Sequence, residues 1–88
     1  MQWAIYADLS RGLSMEERLA IAEALDKLVP DSGCVGPNRA GVEEVYFCVE
    51  ASTEAEARAE AHRYVDAVLR DADVKAEYGI YQQPNPRT

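Results

Sequence analysis

The sequence contains few of the residues from which catalytic and metal centres are usually built. Its 88 residues include one histidine and two cysteines. A structural zinc site needs about four ligands, usually with closely spaced cysteine pairs, whereas Cys34 and Cys48 lie far apart in the chain. His62 belongs to no recognisable arrangement with Ser, Cys or Asp, and we interpret it as a partly exposed surface residue. The sequence therefore predicts no metal, cofactor or catalytic residue, which disfavours an enzyme.

Lysine and arginine are also scarce, and they form no run. Together they number 9 against 16 acidic residues, which gives a formal net charge of −7 and a pI of about 4.5. Phosphate contacts from clustered cations supply most of the affinity of proteins for nucleic acids. The composition therefore excludes nucleic acid and anionic membrane surfaces as expected partners. A basic protein partner is compatible with it, and so is a solvated acidic surface that keeps the protein soluble.

Long apolar segments are absent as well. A membrane-spanning helix needs about 18 or more consecutive apolar residues, and the N-terminal residues lack the basic start and apolar stretch of a signal peptide. These features predict a cytoplasmic protein in which Cys34 and Cys48 are reduced thiols. The length predicts one domain over residues 1–83. The proline-containing residues 84–88 are expected to form a flexible tail.

Four segments have the composition of strands. Apolar and polar residues alternate clearly in Trp3–Leu9 and Val42–Ala51, and more weakly in Val74–Gln82. The Gly- and Pro-rich residues between positions 31 and 41 predict a short edge strand at Cys34–Gly36 followed by a hairpin loop. Each clear strand has one apolar face.

Two segments have the capping boxes and apolar spacing of helices. Ser14 with Glu17 begins a helix expected to end near Val29, and Thr53 with Glu56 begins one expected to end near Asp71. The apolar stripe of the first helix is predicted to contain Ile21, Ala22, Leu25, Leu28 and Val29. The stripe of the second is predicted to contain Ala57, Ala61, Tyr64, Val65, Val68 and Ala72.

The resulting order of elements is βαββαβ. Two helices with a single apolar stripe each can cover one face of a four-stranded antiparallel sheet. In element order the chain resembles the ferredoxin-like superfold over roughly residues 2–83. The resemblance implies an α+β sandwich and no activity, because this superfold carries many unrelated functions.

The face of this sheet without helices is the most informative surface that the sequence predicts. If Ile5, Phe47, Val49 and Ile80 lie under the helices, the other face carries Tyr6, Asp8, Glu44, Tyr46, Cys48, Glu50, Glu77 and Tyr81. Tyrosines with a polar rim are typical of protein interfaces. We therefore predict a partner-binding surface made of Tyr6, Tyr46, Tyr81, Glu44 and Glu50.

Two other interpretations of the open face remain. Antiparallel sheets commonly have one solvated face, on which scattered tyrosines need no further explanation. Ferredoxin-like RNA-binding domains stack bases on aromatic residues of the same face, but the acidic surroundings here would repel phosphates. Self-association of two open faces in a homodimer is one form of the interface prediction.

The isolated charged residues suggest little chemistry. Glu44 and Glu50 lie six residues apart on one strand, roughly 20 Å, which is too far to share a proton or an ion. A pairing of Glu44 with Glu77 or Asp8 across strands remains open. The predicted hairpin places Cys34 opposite Glu44 and away from Cys48, which disfavours a disulfide.

Two features of the first helix have alternative interpretations. Arg11, Gly12 and Arg18 could form an anion site at its start, but the acidic first turn opposes this, and Arg18 is predicted to cover the edge of the core. Met15 and Leu19 either pack under the loop at residues 31–41 or form a small exposed apolar patch for a partner.

The sequence as a whole therefore predicts a small acidic interaction module of unknown partner. Charge and size suggest an inhibitor or decoy protein of a phage or mobile element, which presents carboxylates to a nucleic-acid-binding enzyme. The alternative is a small ligand-binding protein or cofactor-independent enzyme with a pocket at a dimer seam.

Overall fold

Six elements follow one another in the predicted order. They are β1 (Gln2–Leu9), α1 (Met15–Leu28), β2 (Cys34–Pro37), β3 (Glu43–Glu50), α2 (Glu54–Ala72) and β4 (Tyr78–Pro84). The structure is a computed structural model that describes residues 1–30 and 33–84. Part of the predicted loop, residues 31 and 32, and most of the predicted tail, residues 85–88, lie outside the described residues.

The four strands form one antiparallel sheet with the order β2-β3-β1-β4. Both helices pack on the same side of it, α1 toward β2 and α2 across β3, β1 and β4. The α+β, ferredoxin-like layout predicted from the order of elements is confirmed. None of the helices in the described ranges combines the length and apolar character needed to cross a bilayer.

The core lies between the helices and one face of the sheet. Alternate residues of the two central strands supply most of the sheet side, and Ile5 and Phe47 are completely buried there. Each such side chain contributes roughly 1.5–3 kcal/mol when it is fully removed from water. The buried residues of the helices are Ile21, Ala24, Leu25, Ala57, Ala61, Val65, Val68 and Leu69.

The predicted stripe of α1 was partly wrong. Ile21 and Leu25 are buried, but Ala22 is exposed and Leu28 is 42% exposed, while Ala24 takes the buried position. Ala22 lies about 100° around the helix from Ile21, whereas Ala24 and Leu25, three and four residues on, lie above it. The predicted capping box at the start of this helix is fully formed.

The start of α2 differs slightly from the prediction. The Thr53 hydroxyl accepts from the Glu56 backbone amide at 3.1 Å, as expected. The Glu56 carboxylate accepts from the Thr53 hydroxyl at 3.1 Å and not from the Thr53 backbone amide. Only one of the two hydrogen bonds of a capping box is therefore formed. The predicted stripe of α2 is confirmed, with Tyr64 and Ala72 partly buried, and Leu69 joins it.

The last strand begins later than predicted, at Tyr78 and not at Val74. Asp73 ends α2 in the left-handed conformation with φ 56°, and the Val74 amide donates to the Leu69 carbonyl at 2.9 Å. Val74 is 5% exposed and serves as the apolar contact that follows a helix end. In addition, β1 ends at Leu9, opposite Tyr78, and beyond that point Glu77 pairs with Ser10, outside both strands.

Candidate protein-binding face

The three predicted tyrosines lie side by side across the sheet. Tyr6 of β1 lies opposite Tyr46 of β3 and also opposite Tyr81 of β4. Cys34 of β2 lies opposite Tyr46 and completes the series. Facing residues of paired strands project to the same side of a sheet, so all four lie on the face that the helices leave open. We call these four residues the tyrosine row.

The tyrosine rings contact one another. The Tyr6 ring centroid is 5.1 Å from that of Tyr46 and 5.7 Å from that of Tyr81, with interplanar angles of 48°, within the favoured range for aromatic pairs. The Tyr46 hydroxyl lies 3.5 Å from the Cys48 Sγ, and Gln83 Nε2 donates to the Tyr6 hydroxyl at 3.2 Å. The Cys48 hydrogen bond, with burial second, raises the pKa of Tyr46 to about 12. The Tyr46 hydroxyl is therefore neutral at physiological pH.

A second set of facing residues, two positions along the strands, is acidic. Asp8 lies opposite Glu44, and these carboxylate residues are flanked by Gly79 on β4 and Gly36 on β2. A Cβ added at either glycine would meet nothing within 4 Å, so the space beside both carboxylates is open. Asn38 Nδ2 lies 3.5 Å from one Glu44 oxygen. We call Gly36, Glu44, Asp8 and Gly79 the acidic row; it lies about 7 Å from the tyrosine row.

The acidic row has an energetic cost in the free protein. Like charges at directly facing positions of an antiparallel pair destabilise it, by roughly 0.2–1 kcal/mol. None of the four strands contains Lys or Arg, so no strand side chain neutralises Asp8 and Glu44. Of the two cross-strand pairings considered for Glu44, the structure has the one with Asp8. A cation from a binding partner would relieve the repulsion between these two carboxylates.

Two of the predicted residues, Glu50 and Glu77, lie away from the tyrosine row and the acidic row. Glu50 lies at the far end of β3, and one of its oxygens is 3.1 Å from the Met1 amino group. Glu77 was predicted to share the open face, but it precedes β4 and its backbone pairs with Ser10. The structure therefore brings Tyr6, Tyr46, Tyr81 and Glu44 together and leaves Glu50 apart.

The register also corrects the prediction for Cys34. This residue was expected opposite Glu44 but lies opposite Tyr46, because β2 pairs two positions further along β3. Neither cysteine forms a disulfide. Within the described ranges, no group of three or more His, Cys, Asp or Glu residues is placed to hold a metal ion.

Sequence reasoning missed a buried ion pair between α1 and β3. Arg18 Nε donates to Glu43 Oε2 at 2.8 Å and Arg18 Nη2 donates to Oε1 at 2.9 Å. Glu43 is 3% exposed and also accepts from the Leu13 amide at 3.2 Å. Arg18 was predicted to cover the core edge, but its charge pairing with Glu43 was not predicted. The sequence did contain a signal for the burial of Glu43. This residue lies two positions before the core residue Val45 and therefore projects to the same face of the strand.

The two arginines considered for an anion site at the start of α1 already bind carboxylates of the protein. Arg11 Nη2 donates to Glu17 Oε2 at 2.8 Å and Nη1 donates to Oε1 at 3.1 Å. The Arg11 hydrogen bond, with that of the Ser14 backbone second, lowers the pKa of Glu17 to about 2. Both guanidinium groups at this helix start thus bind carboxylates of the chain itself.

His62 is exposed, as predicted, but it is not isolated. Its Nδ1 lies 3.2 Å from the Tyr78 hydroxyl, which donates to Asp66 Oδ1 at 2.6 Å. Burial first, and the Asp66 hydrogen bond second, raise the pKa of Tyr78 to about 12. Because the three polar groups satisfy one another, they hold the first residue of β4 against α2. The spacing of His62 and Asp66 on one helix face was a signal, but their shared partner is distant in sequence.

A depression of about 590 Å³ lies beside Tyr78, between the second half of α2 and the segment that precedes β4. Its floor includes Leu69 and Val74, and its rim includes Asp66, Lys75 and Glu77. Carboxylates and an ammonium group thus share the rim, so the depression favours no single sign of ligand charge.

The apolar residues of α1 considered for a partner contact are exposed. Met15 is 64% and Leu19 59% accessible, so of the two alternatives they form a small surface patch and do not pack under the loop.

Comparison with known proteins finds no family whose model matches the chain, no matching curated protein and no matching solved structure.

Proposed function

We propose that this protein is a small, non-enzymatic, acidic interaction module that binds a basic protein segment on its open sheet face. The observation that carries the proposal is the acidic row beside the tyrosine row. Two facing carboxylates, Asp8 and Glu44, have open space on both sides and aromatic rings next to them.

Arginine is the side chain that best fits this combination. Its guanidinium can pair with a carboxylate and stack on a tyrosine ring in the same contact. A bound cation would also remove the repulsion between Asp8 and Glu44. The same charges support the exclusion of nucleic acid as a ligand, because phosphates would be repelled.

A role as inhibitor or decoy follows from this partner chemistry. An open face whose strands carry carboxylates and contain no Lys or Arg presents the charge sign of a polyanion to a nucleic-acid-binding protein. The proposal therefore includes a role as an inhibitor or decoy protein of a phage or mobile element. It also places the protein in the cytoplasm, where Cys34 and Cys48 remain thiols.

Titration of the isotope-labelled protein with an oligo-arginine peptide tests the binding proposal. We expect amide shifts concentrated on β1 and β3, which weaken as salt is added. Tyr81→Ala should weaken binding about twofold to fivefold, the value of an exposed cation–π contact. Shifts spread over the helices, or binding unaffected by salt, would exclude the open face.

A matched pair of charge variants separates binding from structure. Glu44→Gln should weaken peptide binding about twofold to fivefold and yet stabilise the free protein by a few tenths of a kcal/mol, because it removes the facing charges. Glu23→Gln removes the same charge from the exposed surface of α1 and should change neither quantity by as much. Equal weakening by both variants would mean that net charge alone attracts the peptide.

Ligand binding in the depression beside Tyr78 is the second candidate, favoured by its volume of about 590 Å³. A ligand there should raise the melting temperature of the protein, and Tyr78→Phe should reduce that rise because it removes the hydroxyl between Asp66 and His62. A flat thermal response across a broad metabolite library would eliminate this candidate.

A further inference from the structure

β4 forms one edge of the sheet and is unusually open to pairing. Within the described ranges it pairs only with β1, and the pairing runs from Tyr78 to Pro84 without an interruption. The backbone groups that point away from β1 therefore form a row of donors and acceptors along seven residues. Such a row is a template for another strand.

The usual protection of an edge strand is missing from β4. Natural sheets protect their edges with charged residues, prolines, bulges or very short strands. β4 has the sequence YGIYQQP, which contains no charge and has proline only at its last position. The opposite edge is different, because β2 has four residues and ends at Pro37. Of the two sheet edges that the described residues form, β4 alone is both long and uncharged.

The charge distribution restricts where a second copy of the chain can bind. Two copies of a chain with a net charge of −7 repel each other, and their contact is least unfavourable where carboxylates are absent. β1 contains Asp8 and β3 contains three glutamates, whereas β4 contains none. We propose that two copies of this protein associate through antiparallel pairing of their β4 strands, which goes beyond the binding of a basic partner.

The register of this pairing follows from symmetry. A two-fold interface pairs each residue with a residue at the same distance on the other side of its centre. For the seven residues of β4 to overlap completely, the axis passes through Tyr81, so that Tyr81 faces Tyr81 of the second copy and Gly79 faces Gln83. All facing residues then point to the same side of the sheet, as antiparallel pairing requires.

The paired sheet would have eight strands and one continuous open face. The tyrosine rows of the two copies would meet at Tyr81, whose side chain is 62% exposed in the single chain. Both acidic rows would lie on that same face. This arrangement differs from a face-to-face dimer, in which the two tyrosine rows would cover each other.

Light scattering after size-exclusion chromatography, repeated from low micromolar to millimolar protein, tests the proposal with two matched variants. Tyr81→Lys places two ammonium groups opposite each other at the seam and should raise the dissociation constant at least tenfold. Tyr46→Lys adds the same charge two strands from the seam and should leave it within about twofold, in line with the short range of exposed charge effects. Circular dichroism confirms that each variant is folded.

The outcomes separate the possible arrangements. A dimer of twice the 9.7 kDa chain mass that only Tyr81→Lys dissociates supports the β4 pairing. Equal dissociation by Tyr46→Lys would indicate a face-to-face dimer, and a monomer at all concentrations would overturn self-association altogether.

Tyr81→Cys in a Cys34→Ser background gives a second test, because oxidation should yield a covalent dimer within minutes. A Ser52→Cys control, away from the seam, should react much more slowly. Comparable rates for both would also overturn the proposal. None of these outcomes depends on the basic partner.

Discussion

The ion pair between Arg18 and Glu43 should be the most sensitive single interaction in the fold. Glu43 is 3% exposed and its two oxygens receive the guanidinium of Arg18 and the amide of Leu13. The pair connects α1 to the first residue of β3, at the end of the β2–β3 hairpin. Replacement of Arg18 by Met keeps the apolar stem of the side chain and removes its charge, so that it isolates the electrostatic contribution.

The expected loss is large relative to the stability of so small a protein. Removal of one partner of a buried pair leaves an uncompensated charge, which costs about 3–5 kcal/mol. The lower end applies here, because the Arg18 side chain is 29% exposed and water can partly replace it. A chain of 88 residues has a total stability of roughly 4–13 kcal/mol. A loss of about 3 kcal/mol should lower Tm by roughly 12 °C or more.

The loss should also depend on pH with a defined sign. The hydrogen bond from Arg18 lowers the pKa of Glu43 below its usual 4.5, so the ion pair stabilises the fold above that pH and is lost as the pH falls through the lowered pKa. Without Arg18, burial disfavours the carboxylate and raises the pKa of Glu43. The folded variant then takes up a proton in mild acid. Its deficit relative to the parent should therefore shrink between pH 7 and about pH 4.

Urea unfolding followed by the fluorescence of Trp3, which is 7% exposed, measures this difference at both pH values. Arg58→Met is the matched control, because Arg58 is an exposed helical arginine and its loss should cost less than about 0.5 kcal/mol. An Arg18→Met deficit no larger than that of the control, or one that persists unchanged at pH 4, would refute the assignment of the buried charge to Glu43.

Two further predictions concern single side chains. Tyr46 should ionise near pH 12 because of its hydrogen bond to Cys48; Cys48→Ala should move that ionisation toward the usual 10, as measured by NMR of the tyrosine ring carbons. The neutral hydroxyl then stabilises the fold below about pH 10 and this contribution is lost as the pH rises through the raised pKa. Gly33→Ala should cost about 1–3 kcal/mol, because the new Cβ would lie 2.5 Å from Leu25 Cδ2. Gly12→Ala, which has open space around it, is the control, and equal melting temperatures would contradict the predicted clash.

Local patterns predicted most of the fold. Strict alternation in β1 and β3 fixed which residues face the core, and the two caps fixed where the helices begin. The start of β4 was not predictable in this way, since Val74 has strand propensity but is used to seal the end of α2. The start of β4 also depends on the strand with which it pairs, since β1 ends at Leu9, opposite Tyr78.

The candidate site was predictable in membership but not in arrangement. Parity alone placed Tyr6, Tyr46, Tyr81 and Glu44 on one face. It could not say that Tyr6 faces both other tyrosines, or that Asp8 faces Glu44, because register depends on where each hairpin and crossover turns. Likewise, the pairs Arg18–Glu43 and Tyr78–Asp66 join residues that are distant in sequence.

The two proposals together predict how the binding of a basic partner should depend on its length. Pairing of two β4 strands would place two acidic rows on one surface, so that a long basic segment could bind both and gain from effective concentration, whereas a short peptide could not. Tyr81→Lys would then weaken a long oligo-arginine more than a short one, because it removes both a ring and the second site. Tyr46→Lys would leave the β4 pairing intact, so the long peptide should still bind more tightly than the short one, although the lost ring and the added ammonium group weaken the binding of both. Equal length dependence in both variants would mean that the faces bind independently.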